Sequence, residues 1–196
     1  MSGGFGDLRL DEFAERVAAR ESAPGGGSVT ALSASLAAGL VAMAARFAAN
    51  PGVEQMVERA DQLRYRAAAL ADADAQAYGA VLAEGATKAD DPGSEQRMQQ
   101  LLQRASQVPL DVSDVAVETA QLAAALIRDG NPNLRGDAAA GLLLAEAAVR
   151  AAAVLVGLNI GSAAGEEELV AHAARNVEAA EAARRSVDSQ LRAAPA

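Results

Sequence analysis

Two side chains that could transfer protons stand four residues apart in the segment Asp74-Ala75-Gln76-Ala77-Tyr78. Residues four apart share one face of an α-helix, and the alanine-rich surroundings favour a helix here. A carboxylate beside a phenol could act as an acid, a base or an orienting pair in catalysis. Acidic residues on helices are more often solvated surface charges, so the spacing alone leaves both interpretations open.

A glycine-rich segment, Pro24-Gly25-Gly26-Gly27-Ser28, leads directly into an uncharged apolar stretch. Consecutive glycines permit positive φ angles and a close approach to the backbone, and free N–H groups at a helix start could bind an anion or a carbonyl oxygen. The alternative is a tight turn in which Ser28 is the N-cap. A dinucleotide-binding fingerprint is excluded, since no strand precedes the segment and the glycine spacing differs.

A second polar segment, Gly130-Asn131-Pro132-Asn133, is followed by Arg135 and by Asp137 at a predicted helix start. Asparagine amides donate and accept hydrogen bonds and therefore suit the edge of a heterocycle, whereas Asp137 is also well placed as an N-cap. Asn159 lies near the end of the same predicted helix, ~33 Å from Asp137 along a straight helix. Within one chain the two cannot share a site, so they either meet across a subunit interface or serve different sites.

The composition restricts the possible chemistry and partners. The chain of 196 residues has no Cys and one His, which excludes a disulfide scaffold, a cysteine nucleophile and typical zinc sites. His172 is predicted to be a residue on the charged face of a helix. With 17 basic and 26 acidic residues the net charge is −9, and neither nucleic acid nor membrane is an expected partner. No signal peptide is visible, and a cytoplasmic location is predicted.

The hydrophobic pattern predicts an all-α fold, a single up-and-down bundle of six or seven helices in one domain, residues 1–196. The uncharged stretch 22–45 contains Ala, Gly, Ser and Thr rather than large apolar residues, and is interpreted as a buried core helix rather than a membrane span. Short breakers rich in Gly, Pro and Asn separate the helices. The predicted helices are 10–21, 28–49, 53–84, 94–108, 109–128, 137–160 and 166–192.

Small residues recur on two of these helices and predict close helix packing. They are Ala31, Ser35 and Ala38 on one helix and Ala140, Ala147 and Ala151 on another. Small side chains let helix axes approach to ~8 Å, but they bury little area per residue. A core of this kind is often completed by oligomerisation, and we therefore expect a homodimer with a helical interface.

Several segments, taken in order, resemble one family. They are the glycine segment, the Asp74 to Tyr78 segment, Val108-Pro109-Leu110, the Asn131-Pro132-Asn133 turn with Asp137, and Leu158-Asn159-Ile160. The set is similar to the cyclodeaminase part of formiminotransferase-cyclodeaminase and to its stand-alone relatives, the methenyltetrahydrofolate cyclohydrolases, from about Leu8 to the last helix. The resemblance implies an all-helical oligomer that performs one-carbon chemistry on tetrahydrofolate without a metal or a redox cofactor.

The resemblance also implies roles for single residues. Asp74 would be the general acid/base, and Asp137 a partner acid or an anchor for the pterin. The substrate-binding set would present backbone N–H groups, carboxamides and, for the glutamate tail, a positive charge. Its members are Gly25, Gly26, Gly27, Ser28, Tyr78, Lys88, Asn131, Asn133, Arg135 and Asn159.

Two questions stay open at the level of sequence. Addition of water to a methenyl group and release of ammonia from a formimino group need the same residues, so the sequence does not choose between them. Relatives usually have Asn-Val-Arg-Ile-Asn where this chain has Leu155-Val156-Gly157-Leu158-Asn159. The alternative function is therefore a non-catalytic helical protein of this family that binds folate or a partner.

Overall fold

The computed structural model describes residues 4–49, 51–86, 93–160 and 166–192, and within these ranges the chain is helical with no strand. The predicted all-α bundle is confirmed. Short 3-10 turns at Phe5–Asp7 and Pro132–Leu134 precede α1 and α5. The helices are α1 (Leu10–Ala18), α2 (Gly26–Arg46), α3 (Val53–Gly85), α4 (Ser94–Asp129), α5 (Arg135–Asn159), α6 (Glu166–Arg185) and α7 (Asp188–Arg192).

Helix α2 occupies the centre of the bundle and packs against α3, α4 and α5. Its buried positions are mostly alanines, and four of the nine buried positions of α5 are alanines too. At Gly141 of α5, an added Cβ would lie 3.2 Å from the Ala37 carbonyl oxygen and 3.4 Å from Leu40 Cβ. The glycine thus lets α5 approach the backbone of α2 closely. The small residues predicted to pack on this helix, Ala140, Ala147 and Ala151, are instead exposed.

Two helices, Gly26–Arg46 and Pro132–Asn159, are long and apolar enough to cross a membrane by length and composition alone. In the bundle, α2 buries Ala34, Ala38, Val41 and Ala45 completely. This burial matches the prediction of a core helix for the uncharged stretch. A core helix of a bundle and a membrane span pass the same composition test, so the burial is the observation that separates them.

The prediction of separate helices at 94–108 and 109–128 is wrong, because α4 continues through Pro109. A proline inside a helix removes one backbone hydrogen bond, and this is tolerated when the carbonyl four residues earlier finds another donor. The last predicted helix is instead divided into α6 and α7 at Ser186 and the fully buried Val187. Helix α1 ends at Ala18, three residues before the predicted end.

Candidate functional site

A cavity of about 350 Å³ lies at the amino end of α2, where three predicted site segments meet. The glycine segment forms one wall, α3 contributes Asp74 and Tyr78, and the end of α5 contributes Asn159. Among the residues that the structure describes, the lining is Ser22, Ala23, Gly25, Gly26, Gly27, Asp74, Ala75, Tyr78, Ala105, Leu155, Leu158 and Asn159. A cavity with a few converging polar groups among apolar walls is the usual form of a small-molecule site.

The carboxyl group of Asp74 contacts the first turn of α2. Ser28 Oγ is 3.1 Å from Asp74 Oδ2 and 2.9 Å from the carbonyl oxygen of Ala71. The hydroxyl has a single proton, so it can donate to only one of these two acceptors at a time. If Asp74 is protonated, it can donate to Ser28 Oγ while Ser28 donates to Ala71, and both contacts become hydrogen bonds.

Burial raises the pKa of Asp74 above the ordinary value of an aspartate. The hydrogen bonds from the side chain and the backbone N–H of Ser28 oppose this shift, because they stabilise the ionised form. The surroundings therefore support both protonation states of one carboxyl group. A group of this kind is suited to accept a proton in one step and return it in the next.

Gly27 is the position in the glycine segment where the site has no room for a side chain. A Cβ at this position would collide with the Asp74 carboxylate, with Oδ2 only 2.6 Å away. At Gly26 a Cβ would meet only Leu155 Cδ2 at 3.9 Å, an ordinary contact. Gly27 therefore stands at the point where the Asp74 carboxylate of α3 contacts the backbone of α2.

The structure decides two points that the sequence left open in this segment. The glycines do not use positive φ, since within the described ranges only Gly52 and Gly93 have it. Ser28 is not the N-cap, because Gly25 caps α2 and Ser28 is its third residue, with the hydroxyl directed across to α3. The helix begins earlier than predicted, so its first N–H groups belong to the glycines themselves.

Asn159 closes the cavity from the side of α4. Its Nδ2 donates to the carbonyl oxygen of Ala105 at 2.8 Å. Ala105 stands four residues before Pro109, which has no N–H to offer that carbonyl. Tyr78 is 45% exposed at the cavity edge, so its hydroxyl is available to a ligand.

The Asn-Pro-Asn turn lies at the opposite end of the bundle from the cavity. Asn131 Nδ2 donates to the carbonyl oxygen of Phe47, directly after the end of α2, and its Oδ1 accepts from Asn133 N–H, both at 3.0 Å. The 21 residues of α2 span ~30 Å. Within one chain the structure does not bring Asn131, Asn133, Arg135 or Asp137 to the cavity.

Neither Arg135 nor Asp137 caps the helix that follows this turn. Leu134, not Asp137, is the N-cap of α5, and Asp137 is the third residue of the helix. Arg135 Nε is buried without a hydrogen-bond partner, and the described ranges give its guanidinium no ion-pair partner. Lys88 lies outside the described residues.

Sequence reasoning missed part of the lining. Ala23, Ala105, Leu155 and Leu158 have apolar side chains, Ser22 lies just before the glycine segment, and only the Val108-Pro109-Leu110 motif indicated that α4 takes part. His172 pairs with Asp114, with Nε2 and Oδ1 2.9 Å apart, between α6 and α4, and lies outside the cavity lining. Among the described residues no group of three or more His, Asp or Glu could hold a metal ion.

Residues 9–179 match the sequence pattern of a protein family described as formiminotransferase-cyclodeaminase. The chain belongs to this family. The formiminotransferase-cyclodeaminase pattern extends from the residue before α1 into α6, and so includes the glycine segment, Asp74 and Asn159. The resemblance drawn from the ordered motifs is therefore confirmed.

Two members show how far this likeness extends. A methenyltetrahydrofolate cyclohydrolase from Methylorubrum extorquens is 30% identical over 166 residues, which are 79% of this chain and 80% of that protein. The crystal structure of a formiminotetrahydrofolate cyclodeaminase from Thermotoga maritima has a TM-score of 0.86 at 26% sequence identity. The match covers 95% of this chain and 97% of that one. Relatives of this chain thus have both activities in their names.

Proposed function

We propose that the protein acts on a C–N bond of a tetrahydrofolate carrying a one-carbon unit, as a methenyltetrahydrofolate cyclohydrolase or a formiminotetrahydrofolate cyclodeaminase. The observation that carries the proposal is the Asp74 carboxyl group, held between the Ser28 hydroxyl and backbone at one wall of the cavity. The cyclohydrolase reaction is placed first because the relative at 30% identity has that name.

In the cyclohydrolase reaction, water adds to the methenyl carbon and the ring then opens at N5. Ionised Asp74 accepts the proton of the attacking water, which gives a tetrahedral carbon bonded to both nitrogens. The protonated carboxyl group then donates to N5 as the carbon–nitrogen bond breaks, the proton of the added hydroxyl passes to solvent, and 10-formyltetrahydrofolate leaves. Proton transfer by a positioned group contributes ~10²–10⁴-fold in such steps.

In the cyclodeaminase reaction, N10 replaces water as the nucleophile and attacks the carbon of the formimino group, which is protonated on its terminal nitrogen. Asp74 accepts the N10 proton and delivers it to the departing amino group, so ammonia leaves and the methenyl compound forms. The same carboxyl group moves one proton in each direction, which explains how one site serves both reactions. The difference between them lies in whether the cavity admits a water molecule beside the bound carbon.

The backbone N–H groups of Gly25, Gly26 and Gly27, the Tyr78 hydroxyl and the Asn159 amide are proposed to bind the pterin. A cavity of about 350 Å³ is near the lower limit for ligand sites, ~300–1,000 Å³, so the rest of a folate would extend beyond it. The acidic tail requires a cation, and Arg135 is proposed for this role because its Nε is buried without a hydrogen-bond partner.

A homodimer would bring Arg135 and the Asn-Pro-Asn turn of one chain to the cavity of the other. Helices α2 and α5 both present exposed apolar residues, among them Leu36 at 66%, Val154 at 62% and Leu158 at 74% exposure. The predicted small residues Ala140, Ala147 and Ala151 also lie on the exposed side of α5. The cavity lies at one end of this exposed surface of α2 and α5, and the Asn-Pro-Asn turn lies at the other end. Antiparallel pairing of two chains about a two-fold axis would therefore place the turn of one chain beside the cavity of the other.

The test is an assay of the purified protein with 5,10-methenyltetrahydrofolate, following loss of the methenyl absorbance, and in parallel ammonia release from 5-formiminotetrahydrofolate. EDTA is included, because we propose a reaction without a metal, and it should leave the rate unchanged. Acceleration over buffer in one assay identifies the reaction. Acceleration in neither assay would rule out the enzyme.

The alternative is a non-catalytic folate-binding protein, which the apolar Leu155 in the cavity wall favours. Calorimetry with 5-formyltetrahydrofolate separates the two. Binding without turnover supports a carrier or sensor, whereas absence of both excludes a folate protein of either kind. Cytoplasmic location stays a prediction.

A further inference from the structure

Three residues from different positions in the chain form one hydrogen-bonding arrangement beside the cavity. Pro109 is fully buried inside α4 and lacks the N–H that would bond the carbonyl of Ala105. Asn159 at the end of α5 donates to that carbonyl at 2.8 Å. Ala105 is 4% exposed, so without this donor its carbonyl would be a buried polar group with no helical partner.

This contact fixes which way the Asn159 amide is turned. The carbonyl of Ala105 only accepts, so the nitrogen of the amide must face it. The amide oxygen and the second N–H remain for the cavity that Asn159 lines. If the helix supplied its own donor to Ala105, either end of the amide could face the ligand.

We infer that Pro109 is a positioning residue. Because Pro109 has no N–H to donate, the Ala105 carbonyl accepts a hydrogen bond from Asn159 instead. The Asn159 amide oxygen is thereby presented to a ligand with an N–H edge. A reduced pterin has such an edge, and in this respect the inference rests on the proposed function. The coupling between residues 109 and 159 is a property of the fold and stands independently of turnover.

The test is P109A, which adds the missing N–H and lets α4 satisfy Ala105 itself. Binding of 5-formyltetrahydrofolate should weaken about three- to tenfold, the effect of one neutral hydrogen bond. KM for the methenyl compound should rise with kcat nearly unchanged, since Asp74 is untouched. Thermal stability should be equal or higher, because a proline leaves a helix interior.

A cycle with N159A shows whether Pro109 acts through Asn159. Adding P109A to N159A should cause no further loss of binding. N159D keeps the size of the side chain but cannot donate to Ala105, so it should weaken binding more in the native background than in P109A. If P109A alone proves unstable, P109S, which also supplies the N–H, takes its place in both comparisons.

Three results would overturn the inference. One is an unchanged Kd and KM in P109A, another is a full additive loss in the double variant, and the third is a parallel fall of Tm and kcat. If the native protein binds no folate, the proposed function fails but the coupling is still measurable by NMR. The Asn159 side-chain amide signals, identified by their loss in N159A, should then shift and exchange faster with solvent in P109A.

Discussion

Asp74 is the residue on which the proposed chemistry depends, and D74N removes its ability to exchange a proton while keeping its shape. We expect kcat to fall at least ~100-fold, the lower range for loss of a positioned acid/base. The matched control is D72N on the same helix, because Asp72 accepts from Phe5 N–H at 2.8 Å and an asparagine oxygen can do the same. D72N should keep the native rate. A native rate in D74N would remove Asp74 from the mechanism.

The raised pKa of Asp74 also has a consequence for stability. Since the folded state binds this proton more tightly than the unfolded state, the native protein loses stability as the pH rises from the ordinary aspartate pKa, about 3.9, through the raised value. D74N lacks this loss. Its free energy of unfolding relative to the native protein should therefore increase with pH across that window, measured by denaturant titration at several pH values. A difference independent of pH would contradict the assigned shift.

Ser28 lowers the pKa of Asp74 through its hydrogen bonds, so S28A should raise that pKa further. If ionised Asp74 accepts the proton of the attacking water, kcat/KM falls on the acid side, and S28A should move this acid limb to higher pH. The control is S33A, because Ser33 donates within α2 to the Val29 carbonyl at 2.8 Å, away from the cavity lining. A pH–rate profile of the three proteins measures the shift. Identical acid limbs in S28A and S33A would separate Ser28 from the acid/base group.

At the scale of the helices, Gly27 sets the distance between α2 and α3. G27A places a methyl group against the Asp74 carboxylate and should lower the free energy of unfolding by ~1–3 kcal/mol, the usual cost of overpacking. The control is G79A on α3, where a Cβ would meet nothing within 4 Å. That substitution should stabilise the protein by ~0.5–1 kcal/mol through helix propensity. Equal effects of the two substitutions in denaturant titrations would show that Gly27 has no special packing role.

Most helices could be predicted from the sequence because their ends are marked by Gly, Pro and Asn, as before Val53 and after Asp129. The continuity of α4 could not, because it depends on a donor, Asn159, that is far away in the chain. Ala105 could not be predicted as a lining residue for the same reason, because it lines the cavity only where the end of α5 lies beside α4. Asp74 and the glycines were recognisable because a close approach of backbone and carboxylate requires particular residue types at both positions.

At the scale of the whole molecule, the apolar face of α2 and α5 is proposed to pair with a second copy. L36E and V154E place charges at 66% and 62% exposed positions, which should cost little in a monomer but prevent pairing. We expect light scattering to show monomers and the folate activity to be lost. Q103E adds the same charge at an exposed position of α4 and should stay dimeric. A native protein that is monomeric at micromolar concentration would contradict the proposal.

Whether the two ends of this face form one site is decided by mixing inactive variants. D74N damages the cavity of a chain, and R135A damages the turn that its partner would receive. If each site combines the cavity of one chain with the turn of the other, a refolded equal mixture should regain about a quarter of the native rate, because half of the dimers are mixed and each has one intact site. If R135A acts within its own chain, each chain of a mixed dimer carries damage in its own site, so no activity is regained. The linked double variant D74N/R135A mixed with native chains is a second test, since across-chain sites leave both sites of the mixed dimer damaged and within-chain sites leave one active. The mixture with native chains should therefore fall to about a quarter of the native rate for shared sites and only to about half for separate ones.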